Sequence, residues 1–580
     1  MLQRPPSLAR RHGGANGGSG GSNGGGAAGA PSATPAAPAG GGGGGGAPQH
    51  PHRGKRVVVV GGGWGGFGAA LALAKAGAEV TLLDAAETPG GLSSAFVTPG
   101  GRVVEPGIKG FWRCYSNIQA LLGSELAGRM PAGGPLTPYT RSGFWSPDGL
   151  EVEAPEFGDL PRLPAPLGPL LHTAGLFRRL PAADRLSALG LVGPLLEYDA
   201  DDDTYARYDA TSAYSLFKEA GVSRRLYTAF LEPMLLVTLF APPTELSAAA
   251  ALGALYYFAL AHQDDWDVAW CRGPVGQLIM APFAEHLQDM GVRILGGRRA
   301  QQVLAAPGSS LPGAVVAATA AGAETHEADA VVLAAGVTAM QRLVAASPVL
   351  AAADDLRAVS ALRCADVMAA RVWLDRKLPL QFKSNVLSGF DAGSGATLFD
   401  LTALQDQYAG EGGSVLEFDV YHAEALLPLS DEELLERLLG SYLPPALPPG
   451  AGGGGGLRRL VVDASVLRFR GATTVFSPGS SGALPPISTS LPNVFCAGDC
   501  VAQGPGAHGA RGLSQEKAYA SGLQAGNSAA RLLGLTPRVV VLPAEPDEPH
   551  IAAAKAAARG KAAAKRALRG RLPLAGGAWR

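Results

Sequence analysis

Gly61, Gly63 and Gly66 have the spacing with which a backbone turn cradles a pyrophosphate, and Asp84 follows eighteen residues after the last of them. Each position has a physical task. Gly61 permits the tight turn, Gly63 lets backbone approach the phosphates, and Gly66 lets a helix pack closely on the strands. The unpaired N–H groups at the start of that helix supply a positive dipole end. The Asp84 carboxylate accepts hydrogen bonds from a ribose diol. The elements needed to hold these groups lie in order: a strand at Arg56 to Val60, a helix from Phe67 to Ala76, a break at Gly77, and a second strand from Glu79 to Leu83. The glycine run allows a second register, Gly63, Gly65 and Gly68, but Gly61 directly follows the apolar strand and sets the better offset to Asp84.

A fingerprint of this kind serves NAD and FAD alike, so the rest of the chain must discriminate. Past Asp84, Gly90, Gly91 and Leu92 allow close backbone approach to a long cofactor. Val303, in the strand Ala300 to Ala305, is assigned to the same cofactor. Near the C-terminus the strand Asn493 to Ala497 ends in Gly498 and Asp499, and Asp499 is placed to hold a ribityl chain. A turn at Gly504 to Gly509 then opens the helix Ser514 to Leu533. Aimed at a flavin, its N-terminus would stabilise the anionic reduced ring. A ligand reaching from Gly61 to Asp499 fits FAD better than NAD.

With 580 residues, 47% of them hydrophobic, the chain can bury a large core in two or more domains. A net charge of −1 argues for no nucleic-acid partner. Five cysteines, odd in number and without metal-ligand spacing, read as buried thiols rather than disulfides or a zinc site. The longest apolar stretch, Leu246 to Ala261, is too short for a membrane span and reads as a packed helix; peripheral association with a membrane face stays open.

Residues 1–54 are Gly, Ala, Ser and Pro with scattered arginines and no acid, which predicts a disordered leader of transit-peptide type and a chloroplast or plastid location; padding of a biased genome explains the same composition. Pro444 to Gly456 reads as an inserted loop, and the acidic cluster Glu197 to Asp203 as a solvated turn. Ile551 to Arg571 could form a basic surface helix, with a solvated tail as the default. Cofactor-type signals at the start, middle and end predict an α/β fold: a Rossmann-type FAD-binding domain with a discontinuous α+β substrate domain inserted. The expected FAD-binding parts are 55–120, 271–364 and 476–535. The substrate parts are 121–270 and 365–475, and 536–580 is the basic Ala-rich tail.

Val103 to Asn117, with Glu105, Gly107, Phe111-Trp112 and Tyr115-Ser116-Asn117, is similar to a segment of the amine oxidase-like flavoproteins, nearest the plant and cyanobacterial carotene desaturases. Phe230-Leu231-Glu232-Pro233 and Arg272-Gly273-Pro274 resemble further landmarks of that family. The resemblance spans roughly 55–535. It departs at Leu92, where a basic residue is usual, at Lys109, where histidine is frequent, and at His508 to Tyr519.

The resemblance implies an FAD-dependent oxidoreductase, a desaturase or isomerase acting on a carotenoid or related lipophilic polyene by hydride transfer to flavin, with a quinone as a candidate electron acceptor. Lys109 and His508 are the polar candidates nearest the flavin, although a phosphate or surface contact and a turn residue are their ordinary roles. The apolar runs Met234 to Val237 and Leu255 to Leu260 line a lipophilic tunnel or fill ordinary core. Two alternatives are an amine or porphyrinogen oxidase, for which only Tyr519 is an evident flavin-facing aromatic, and a flavin-holding lipid-binding or assembly protein without turnover.

Overall fold

Four successive valines make Arg56–Val60 a strand buried on both faces, as the interior of a parallel sheet requires. The computed structural model describes residues 55–451, 456–502 and 512–571. In it, five parallel strands line up in the order Val494–Cys496, Ala330–Leu333, Arg56–Val60, Glu79–Leu83 and Arg293–Leu295. Segments more than 400 residues apart in sequence therefore meet in one sheet. Alternate side chains feed two cores. Val57, Val59, Leu82 and Val332 pack with the helix Trp64–Ala76, and Val58, Leu83, Val331 and Leu333 pack with the helix Val337–Ala346 and an antiparallel three-stranded sheet (Arg299–Ala305, Pro312–Thr319, Gly322–Glu327). This is an α/β dinucleotide-binding architecture.

A second, seven-stranded sheet runs Val461–Val475, Arg363–Leu374, Val415–Tyr421, Gly395–Asp400, Ser384–Ser388, Ser142–Ser146 and Gly149–Ala154. All pairings are antiparallel except that between Ser384–Ser388 and Ser142–Ser146. One face carries Met368, Ala370, Phe418 and Val420 into a core with Leu434, Leu435 and Leu438. The opposite face bears Ser384, Thr397, Phe399 and Tyr421, which look onto the cavity described below.

Several expectations change. The stretch 549–571 is a helix, and the segment leading into it is docked rather than solvated. Lys555 is 5% exposed, sits 3.6 Å over the Tyr256 ring and pairs with Asp547, while Asn117 bonds backbone at Leu542. An ammonium seated over an aromatic ring and paired with an acid explains how a basic segment packs. The acidic cluster is a helix boundary: Asp201 caps Asp202–Asp209, and Glu197 accepts a bond from Tyr208. Of the five free cysteines, Cys271, Cys496 and Cys500 are buried, but Cys114 and Cys364 are only partly so. Ala248–Leu260 is a packed helical stretch, and no helix among the described residues is long and apolar enough to cross a membrane. The leader, Gly452 to Gly455 of the loop after Pro444, and His508 with its turn lie outside the described residues.

Candidate functional site

The turn after the first strand is built as its spacing requires. Gly61 has φ +104°, and a Cβ there would lie 2.5 Å from the Ala334 carbonyl oxygen. A Cβ on Gly66 would lie 1.8 Å from the Gly61 carbonyl oxygen, so the helix can start this close to the strand only without a side chain. Gly63 differs: the nearest protein atom to its missing Cβ is Gly91 Cα at 3.8 Å. The space before Gly63 therefore belongs to the cavity and suits an approaching phosphate. The second register has another use. Gly65, Gly68, Gly522 and Gly526 bring the helices Trp64–Ala76 and Gln515–Leu532 into backbone contact, with Cβ positions 2.1–2.9 Å from backbone of the opposing segment or of Gly498.

A cavity of about 520 Å³ runs from this turn across the sheet ends to the second sheet. Gly61, Gly63, Asp84, Gly90, Gly91 and Leu92 line one part, and Lys109, Gly498 and Asp499 line another. Gly66 lies beneath, where it sets the helix, and does not line it. Val303 stands apart: it is 1% exposed in the core, and its N–H donates to Ser347 Oγ at 2.8 Å. Arg298, Arg299 and Ala300, just before it, line the cavity instead.

Asp84 is tightly held. Its Oδ2 accepts from Gly62 N–H at 2.6 Å and its Oδ1 from Ala86 N–H at 2.7 Å. Burial raises its carboxyl above the ordinary range, and those two backbone donors oppose the rise. Both oxygens keep lone pairs for a ribose diol. The Asp499 carboxyl is likewise pushed up by burial and drawn back by the Lys517 charge. Next to it, Gly498 N–H donates to Ser521 Oγ at 2.9 Å, which ties the end of the last strand to the helix Gln515–Leu532.

That helix starts at the cavity. Ser514 is its cap, accepting from Lys517 N–H at 2.9 Å, and Ser514, Gln515 and Ala518 line the wall. Gln515 donates to Gly110 O at 2.9 Å and accepts from Trp64 Nε1 at 3.0 Å, so three distant segments converge at one point. Lys109, beside Gly110, donates through Nζ to the carbonyls of Pro106 and Gly107, each at 2.8 Å. Burial lowers its pKa.

Beyond these groups the cavity is walled by rings, among them Trp112, Phe258, Trp266, Trp270 and Phe399. Of the two apolar runs in the sequence, Val237 and Phe258 reach the cavity, whereas Met234, Leu235 and Leu236 are core. Tyr519 does not reach it; it packs edge-on to Trp64 with ring centres 6.0 Å apart. Phe240 and Tyr421 do line the cavity, but they stack on each other at 4.4 Å, leaving no slot between them for a substrate.

Sequence reasoning missed Trp64, Arg298 and the carboxylates Glu417 and Asp419. Trp64 was in view inside the glycine run, but nothing local says that its indole N–H meets Ser93 and Gln515. Arg298 reaches the site only because Arg293–Leu295 joins the parallel sheet beside Glu79–Leu83. Glu417 and Asp419 did leave a signal: two acids at period two within an otherwise apolar strand.

Comparison with known proteins accords with this geometry. The family model for flavin containing amine oxidoreductases matches residues 65–527. Carotenoid phi-ring synthase of Streptomyces griseus is 28% identical over 66% of this chain and 71% of its own length. The chloroplastic/chromoplastic 15-cis-phytoene desaturase of Narcissus pseudonarcissus is 26% identical over 67% of this chain, which spans 65% of that relative. Among solved structures, cyclohexylamine oxidase from Brevibacterium oxydans shares the fold with a TM-score of 0.56 at 16% identity, over 83% of this chain and 98% of that one.

Proposed function

The chain belongs to the family of flavin containing amine oxidoreductases, with FAD as its cofactor, and on that premise we propose that it desaturates or isomerises a carotenoid-class polyene. One observation carries the reading: the dinucleotide cradle opens without interruption into a chamber walled by aromatic side chains. Such a chamber takes a long lipophilic chain and keeps water from the reacting carbons. When bound, FAD supplies the two-electron oxidation. The protein's part is to bind it at Gly61, Gly63 and Asp84, to hold Asp499 and the Ser514 helix end against it, and to orient the chain of the substrate.

Two relatives whose descriptions name carotenoid or phytoene chemistry support the substrate class. The amine-oxidase alternative is less well served, because the stacked Phe240 and Tyr421 offer no slot between facing rings. We extend the proposal to a quinone-class electron acceptor, and to peripheral membrane association through the exposed Leu170, Leu171, Leu186 and Leu189 with the neighbouring Arg179. A plastid location, as the description of the Narcissus relative states for that protein, is part of the same proposal.

The test is anaerobic mixing of the yellow holoprotein with 15-cis-phytoene or zeta-carotene in detergent micelles. Bleaching of the flavin with formation of a longer conjugated chromophore is expected. Bleaching by an amine or a porphyrinogen but by no polyene would replace this reading with the oxidase one. Bleaching by none of them would favour a flavin-holding protein without turnover.

A further inference from the structure

Where the cradle meets the aromatic chamber, four buried ionisable side chains, Glu105, Arg371, Glu417 and Asp419, gather with the half-buried Lys109. Arg371 Nε pairs with Glu417, its Nη1 donates to Val103 O at 3.0 Å and Tyr408 OH at 3.1 Å, and its Nη2 lies 3.9 Å from Glu105 with no hydrogen-bond acceptor among the described residues. Glu105 also accepts from Val275 N–H at 2.7 Å and from Gln405 at 3.3 Å. Asp419 Oδ2 accepts from Ile108 N–H at 2.7 Å.

Two carboxyl oxygens remain without a donor among the described residues, Asp419 Oδ1 and Glu417 Oε1. They belong to neighbours on one face of one strand, and burial, with the Glu417 charge beside it, raises the Asp419 carboxyl well above the usual carboxylate range. Tyr421, whose OH bonds Thr397 at 2.9 Å, and Cys271 complete the titratable groups facing the cluster.

Lys109 reaches the cavity from this cluster, and its donor count matters. Pro106 and Gly107 provide two acceptors. A neutral amine has two N–H donors and one lone pair, so both donors are satisfied and the lone pair is free. Burial lowers the Lys109 pKa and so favours that neutral form, while the charges of Asp419, Glu105 and Glu417 favour the cation.

Resting on the oxidoreductase reading above, we propose that Lys109 is the base that takes up the proton released when the substrate is oxidised, with Asp419 and Glu417 as its positioning and charge-balancing partners. The step balances. One substrate C–H bond breaks with its hydrogen and electron pair passing to FAD, which is reduced. On the adjacent carbon a second C–H bond breaks; its electrons form the new C=C bond, and its proton forms an N–H bond on Lys109. The substrate is oxidised by two electrons. Negative charge on a reduced flavin held in the same cavity would raise the affinity of Lys109 for that proton.

The decisive measurement needs no substrate. The midpoint potential of the FAD-loaded full-length protein is followed by dye equilibration from pH 6.5 to 9.5. The wild type should take up one proton more per two electrons than Lys109→Met within the window where Lys109 titrates. Lys109→Arg keeps a cation that cannot release its proton, so it should show the shallower slope of Lys109→Met at a higher potential. Asp419→Asn should move the window to lower pH. Equal slopes in wild type, Lys109→Met and Lys109→Arg would overturn the proposal. If Lys109→Met fails to hold FAD, the Lys109→Arg comparison alone decides. A second arm follows flavin bleaching by 15-cis-phytoene, where Lys109→Met should be slowed at least about 100-fold, the lower bound for losing a general base. Wild type that no polyene bleaches would sink the polyene reading and leave the potentiometric result for Lys109 standing.

Discussion

A Cβ on Gly522 would lie 2.1 Å from the carbonyl oxygen of Gly65, so the first and last helices of the cofactor-binding part touch through backbone alone. This contact fixes where the helix Gln515–Leu532 begins, and its beginning is a wall of the cavity.

Gly522→Val should therefore displace that helix. Overpacking of a close contact costs about 1–3 kcal/mol. Because the displacement moves Ser514 and Gln515, weaker flavin retention is expected along with a lowered unfolding temperature. An unchanged melting curve with full flavin would show that the two helices can separate without disturbing the cavity.

Gly63→Val should act on the ligand alone. The site of its Cβ is clear of protein, the nearest atom being 3.8 Å away, so the apoprotein should fold and melt like wild type. Its side chain would occupy the space expected for the pyrophosphate, and the purified protein should be colourless. A yellow, stoichiometrically loaded Gly63→Val protein would place the phosphates elsewhere.

Asp84→Ala removes an acceptor from two backbone N–H groups as well as from a ribose diol. Loss of a hydrogen bond to a charged group is worth about 1–3 kcal/mol, so FAD affinity should fall by about one to two decades. Asp84→Asn keeps one acceptor oxygen and should recover part of that loss. Titration of apoprotein with FAD, followed by quenching of flavin fluorescence, reads both. Wild-type affinity in Asp84→Ala would remove the ribose role.

His262 gives a pH prediction. Burial works against its charged form, but the hydrogen bond and charge of Asp265 and the carbonyl of Pro546 outweigh it and raise its pKa to about 9. Burial raises Asp265 too, and both ring nitrogens of His262 have partners that favour its charged form. A folded-state pKa above the unfolded one means stability fully present below pH 6.5 and lost as pH rises through about 9. Wild type should thus melt above His262→Gln at pH 6.5, and the gap should close by pH 10. A gap independent of pH would mean that the imidazolium does not hold the Pro546 segment.

The sequence by itself determined the local parts of this protein. Valines at Val57 to Val60, glycines at Gly61 and Gly66 and the acid at Asp84 act within about 30 residues of one another, so the turn they form is written in spacing alone. The last strand and the helix after it were legible for the same reason, within a residue or two of Val494–Cys496 and Gln515–Leu532. Val303 shows the limit: a strand was evident, but which of its residues meets the cavity depends on how that strand lies against Ser347. The docked C-terminal segment shows it again, since lysines and alanines predict solvent until Tyr256 and Asp547 receive Lys555. Only the tertiary structure could join Lys109 to Asp419 and Glu417, some 310 residues further on. Burial raises the Asp419 carboxyl well above the range of an ordinary acid in a strand, and burial is a property of the folded whole.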